Sequence, residues 1–382
     1  MKKTKAGAAI LGVSFVWFTT HFGGGFASGA QIYSYFVRYG AWCLIMPVLA
    51  ILYNTVFFSY SLRFARKHEV YDYRSYNNAF YGRFAPVFSN LFEVLYICVM
   101  CVAPAVAFAT GGATLSELTG IPYLLCTLLI GVFIFVVAIF GTDLVRKVAS
   151  VLSVCIILGL IVVYVPNIIS NFSSITDAVT SMNAAQLSLW DALYSAFLYG
   201  TFQLSNIAVL VQHAKSFEKP DDAVKSMGLG FVINSLIMIM VVLGLMTVYT
   251  NPDAVGQSVP TLFMVQNGVG ESFMTPLISL LIILGAVSTA VNMVAAMVKR
   301  ICGRTKEHAE KSEKRGFHTT KKEIIAAFVC CVIDFGIAQF GLLTLVQKAY
   351  SAIAYLAIPV ILVPYIIHMV ATRFDTKQKA EN

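Results

Sequence analysis

Charge is what this chain has least of. Asp, Glu, Lys and Arg make up 12% of its 382 residues, about half of the roughly 25% usual for a soluble domain. So little charge cannot clothe a water-exposed surface, which excludes a soluble enzyme or a soluble binding module. Acids are the scarcer sign, 19 against 27 bases. Titratable groups inside apolar runs are fewer still: His21, Glu93, Asp334 and Lys348, each on a different run. No HExxH pair, paired-aspartate lipid-phosphate motif or serine elbow occurs. Catalysis needs convergent acids, bases or ligands, so the chain is expected not to be an enzyme. Its eight cysteines nearly all lie in apolar runs. "CVMC" (Cys98 to Cys101) has metal-ligand spacing but no second pair or histidine cluster, so neither a disulfide framework nor a resident cofactor is expected.

Apolar runs are abundant instead: 58% of residues are hydrophobic, in stretches long enough to cross a bilayer. The start, "MKKTKAGAAILG", is basic then apolar like a signal peptide, yet the run continues to about Phe36 without a cleavage site and reads as a retained first span. Ten spans are expected, at 8–36, 41–63, 85–113, 121–140, 145–165, 190–211, 227–249, 273–298, 324–340 and 342–370. With the N-terminus inside, 25 of the 27 lysines and arginines fall on cytoplasmic segments or helix ends; Arg38 and Lys348 are the exceptions. The long outer loops around 167–188 and 250–272 contain neither lysine nor arginine. That asymmetry places both termini in the cytoplasm. It also accounts for the +8 net charge through an anionic bilayer leaflet, so no nucleic-acid partner is expected.

The first span is interrupted at its centre by "TTHFGGGFASGAQ" (Thr19 to Gln31). Each glycine costs about 1 kcal/mol in a helix interior. At 29 residues the span would reach about 43 Å, more than a ~30 Å hydrocarbon core requires. Five is odd, so a second set of five spans would begin outside if the first began inside. The counterpart of span 1 is then span 6, and it carries "YGTFQLSN" (Tyr199 to Asn206) at its own centre. Paired interruptions in corresponding spans are the sequence mark of a transporter site. Gly25 and Gly29 also form a GxxxG packing pattern, but four glycines with polar flanks and the echo in span 6 favour a break. The expected architecture is all-α: residues 1–166 as one five-helix repeat, 167–188 as an outer loop, 189–371 as a second, inverted repeat, and 372–382 as a cytoplasmic tail.

"GGGFASGAQ" after the first half-span, ten spans and a break in span 6 resemble the YkvI-type membrane proteins, a bacterial family related to the LeuT-fold (amino acid–polyamine–cation) transporters. The resemblance implies a bundle of helices 1, 2, 6 and 7 rocking against a scaffold of helices 3, 4, 8 and 9. It further implies substrate at the two breaks and, in sodium-coupled members, an ion between helices 1 and 8. Some such relatives carry an arginine shortly after the glycine break as outer gate. Here that region reads "FASGAQIY", and Gln31, Tyr33 or Tyr35 would have to replace it.

Helix 1 should end near Phe22 with free carbonyls and resume near Phe26 with free amides. A carboxylate is expected against Gly23, Gly24, Gly25 and Phe26. Helix 6 should end near Tyr199, offering carbonyls around Gly200 to an ammonium, so a zwitterion fits between the poles. Phe22, Phe26, Phe197, Tyr199 and Phe202 would box it, with Tyr96 added because helix 3 lines the site in this fold. Gly285, Ser288 and Thr289 share one helix face. With carbonyls of Thr19 and Phe22 they would supply about five neutral oxygens to a sodium ion, as hard-cation chemistry prefers. Hydroxyls bonding back to their own helix are the plainer reading of Ser288 and Thr289. Asp334 and Lys348 lie equally far from the turn at Gly341 and are expected to pair, while Glu93 should meet a cytoplasmic arginine. The expected function is a secondary transporter of the cell membrane, a sodium symporter of an amino acid or similar zwitterion. Its partners are then the small-molecule substrate and the lipid bilayer, with oligomeric state open. The alternatives are a proton-coupled carrier, for which His21 is the titrating candidate, and a channel or non-transporting membrane partner.

Overall fold

Residues 2–140, 142–302 and 320–375 are described by the computed structural model. Helices and turns account for the chain, with no strand among the described residues. The first helix, α1 (Lys2–His21), stops where the glycines begin. Phe22 and Gly23 lie outside any helix, α2 (Gly24–Ala27) makes one turn, and Gly29 redirects the chain at φ +78° into α3 (Ala30–Tyr35). Next come α4 (Met46–Lys67), the short α5 (Tyr73–Tyr81) and the long α6 (Ala85–Thr119). Asp72 caps α5 by accepting the Ser75 amide at 2.9 Å. Then follow α7 (Tyr123–Phe140), α8 (Thr142–Ser170) and α9 (Phe172–Ala184). The sixth expected span is α10 (Leu189–Gln203), a 3-10 turn at Leu204–Asn206, and α11 (Ile207–Leu210). The remainder is α12 (Asp222–Met246), the lid-like α13 (Pro260–Gln266), α14 (Glu271–Cys302), α15 (Lys321–Ala338) and α16 (Leu342–Ala371).

The chain is a multi-pass membrane protein. Among the described residues, six helical stretches are long and apolar enough to cross a bilayer, or seven if the pair across Asn171, bent by 77°, counts as one span. That is fewer than the ten expected. The first and sixth spans are broken into short pieces, and α15 carries Lys321, Lys322, Glu323 and Asp334 within 18 residues. The basic segment 303–319 and the end of the expected tail, 376–382, lie outside the described residues. Outward faces are apolar: on α7, Leu125 is 54% and Leu129 61% exposed, as lipid contact requires.

Polar bonds tie α1, α4, α10 and α12 to one another. Ser226 on α12 donates to the Ile10 carbonyl at 2.8 Å. Trp17 fills the notch left by Gly230, where a Cβ would stand 2.4 Å from the indole. Asn54 on α4 donates to the Gly200 carbonyl at 2.7 Å, and the Tyr53 hydroxyl meets that of Thr201 at 3.2 Å.

Candidate functional site: a cavity at the break in the first helix

Ending α1 at His21 strands a set of backbone groups. The Gly23 amide turns back to the His21 carbonyl, and the Phe26 and Ala27 amides both bond the Gly23 carbonyl. Among the described residues this leaves the carbonyls of Thr19, Thr20 and Phe22 without a backbone donor. The amides of Gly24 and Gly25 are likewise without an acceptor. Phe26 was expected to offer a free amide but does not, because one turn of α2 already consumes it. Glycine is required at 24 for close approach: a Cβ there would stand 2.9 Å from the Thr110 hydroxyl on α6 and 3.3 Å from Ala286 on α14.

Beside the break lies a cavity of about 240 Å³. Its wall includes Thr19, Thr20 and Phe22 from the broken helix, and Gly285, Ser288, Thr289 and Asn292 from α14. All five residues expected around a sodium ion therefore border one space. Asn292 stands one turn beyond Ser288 on the same face and could have been read from that spacing. Thr289 donates to the Gly285 carbonyl at 3.0 Å, and Thr19 and Thr20 donate to the Val16 carbonyl at 3.1 and 2.7 Å. Such back-bonding uses each hydroxyl proton and leaves the oxygen lone pairs for a cation. The described lining contains no Asp, Glu, Lys, Arg or His. Asn292, in the same lining, is exposed.

Phe202 and Tyr350 stack with rings 4.7 Å apart and 6° from parallel, and Tyr35 lies against Phe202 and Tyr199. Of the three residues suggested for the gate, Tyr35 is the one in this stack. Beside it, the Thr261 amide at the start of α13 donates to the Ser28 carbonyl at 2.9 Å.

The remaining expected site residues do not border the cavity. Tyr199 is not a helix end, because α10 continues to Gln203. Its hydroxyl lies 2.5 Å from His21 Nε2, and its ring meets Phe36 and Tyr35. The Gly200 carbonyl is taken by Asn54 and its Cα packs on Tyr53, so the helix passes through this glycine. Phe197 faces Tyr53, and Phe202 belongs to the stack with Tyr350. Tyr96 stands elsewhere: with Tyr73 it holds the Arg300 guanidinium, 5.0 and 4.8 Å from the two ring centres. Arg300 is also the partner of Glu93, at 3.0 Å, and the Tyr73 hydroxyl donates to the same carboxylate at 2.5 Å. Removing Glu93 leaves a half-buried guanidinium unpaired, so Glu93→Ala should cost about 1–3 kcal/mol. Thermal melting should show Arg300→Lys nearly as damaging, since an ammonium neither forks nor stacks.

Asp334 and Lys348 form no ion pair among the described residues. Asp334 is buried at 3% exposure and Lys348 is exposed. Equal distance from Gly341 implied equal facing only for regular helices. Lys348 sits in a π turn, Leu345–Ala349, whose extra residue rotates it by about 100°.

No family model matches the chain, and no curated protein does. Among solved structures, the manganese transporter of Eremococcus coleocola, determined with an aromatic bis-isothiourea substituted compound, is similar over 96% of this chain and 95% of its own, at 14% identity and a TM-score of 0.48.

Proposed function

We propose that this protein is a secondary transporter of the cell membrane working by alternating access, with both termini cytoplasmic. It carries an amino acid or similar small zwitterion together with sodium. One observation carries the reading: Thr19, Thr20 and Phe22, whose carbonyls the break in the first helix leaves without backbone donors, line the same cavity as Ser288 and Thr289. Neutral oxygens from two helices suit a hard monovalent cation. A divalent ion would call for carboxylates, and the described lining has none. A cavity at the break, with packed aromatic rings at Phe202 and Tyr350, suits one end state of an alternating cycle. The 5+5 inverted repeat belongs to this proposal as the reason both faces can close in turn.

The test is thermal melting of the purified protein in detergent against amino acids and osmolytes, each in sodium and in potassium. A ligand at 100 times its Kd adds about 2.7 kcal/mol. One compound should stabilise in sodium only, and Ser288→Ala/Thr289→Ala should abolish that shift. A shift indifferent to the cation, or unchanged in the double variant, would sink the sodium site.

A further inference from the structure

The last helix, α16, contains two π turns, Leu345–Ala349 and Ile358–Leu362. Beside each turn, a carbonyl that lacks its i+4 backbone donor accepts a tyrosine hydroxyl from another element. In the second turn the Val363 amide reaches back five residues to Ile358. The donor that Val360 would meet four residues on is Pro364, which has no N–H. Tyr81 of α5 donates to Val360 instead, at 2.8 Å. In the first turn the Tyr350 amide reaches back five residues to Leu345, bypassing Val346. Tyr35 of α3 donates to the Val346 carbonyl at 3.1 Å.

The two turns differ in one respect. In a regular α turn the Pro364 ring would clash with the Val360 carbonyl four residues back, so the second turn's register is set covalently. The first contains no proline: without Tyr35, the Tyr350 amide can return to Val346 and make an ordinary α turn. We propose that Tyr35 is a register catch, its hydroxyl holding the π turn that seats Tyr350 on Phe202. Withdrawal of the outer half of the first helix then lets α16 slip by one residue and loosens the aromatic stack. A slip of one residue turns the outer end of α16 by about 100° relative to the rest. Closure of the outer side and register of α16 thus become one two-state element. The alternating-access reading gives the catch its purpose, but the catch is measurable without transport.

Hydrogen–deuterium exchange of the whole protein in detergent, read by mass spectrometry, tests it. Tyr35→Phe keeps the ring and removes the hydroxyl, with its bonds to the Val346 carbonyl and the Ser351 hydroxyl. Amides of residues 345–351 should exchange at least tenfold faster, because the turn now passes between two registers. Tyr81→Phe should leave 345–351 unchanged, and its own turn should keep its register. Exchange of 345–351 in Tyr35→Phe within twofold of the parent would overturn the proposal. So would an equal rise at both turns in either variant. Deleting Gln347 guards against a misfolded Tyr35→Phe: it removes the residue the π turn accommodates, so the protein should still fold and Tyr35→Phe should then change nothing further. A deletion that prevents folding overturns the proposal as well.

Discussion

Replacing His21 with leucine should lower stability by about 3 kcal/mol, seen as a fall of several degrees in the melting temperature of the detergent-solubilised protein. The size follows from the groups left behind. Asn234 donates its amide N–H to the Gly230 carbonyl at 2.8 Å, which turns its oxygen toward His21 Nδ1 at 2.8 Å. That nitrogen must then carry the ring proton, and Nε2 accepts from the Tyr199 hydroxyl. Leucine would orphan a buried carbonyl oxygen and a buried hydroxyl, each costing about 1–3 kcal/mol. His21→Leu in Asn234→Leu should cost much less than in the parent, because the two share one bond network. Equal losses in both backgrounds would show that packing against Phe26 and Tyr199, not the bonds, is what histidine supplies.

Gly29→Ala should be of similar size, about 2–4 kcal/mol, by a different route. Gly29 has φ +78°, which costs an L-residue about 1–2 kcal/mol. Its Cβ would also stand 2.6 Å from the Thr261 hydroxyl and 3.1 Å from the Thr261 amide. That hydroxyl is held by Tyr164 at 2.7 Å, so it cannot move aside without breaking a buried bond, and overpacking of this kind adds about 1–3 kcal/mol. The variant should also loosen α13, detectable as faster proteolysis between α12 and α14. Gly23→Ala is the control: a Cβ at Gly23 meets nothing within 4 Å, and the residue is extended.

The break in the first helix was legible because backbone propensity decides it locally: four glycines within seven residues end a helix whatever surrounds them. The Ser288–Thr289 face was legible because helical spacing is rigid over one turn. The end of α10 was not, since a glycine in a helix is unfavourable only until a neighbour uses the space it leaves. Tyr53 packs into that space and Asn54 bonds the carbonyl, and neither partner is near Gly200 in sequence. Tyr96 went astray for a related reason. Aromatic rings suit a solute box and an arginine equally well, and only the fold brings Arg300 between Tyr73 and Tyr96. Glu93, by contrast, was correctly assigned to an arginine, because a carboxylate at that depth has few other satisfactory neighbours.

The uncharged lining of the cavity has an electrical consequence. If the cavity carries sodium as proposed, a site whose described lining holds no formal charge crosses the membrane field empty without moving any, and voltage acts only on the step that carries the cation. One elementary charge across 100 mV is worth about 2.3 kcal/mol, or roughly a fiftyfold bias. In vesicles the loaded protein should therefore pass a current set by its ion alone, while its unloaded return stays electrically silent.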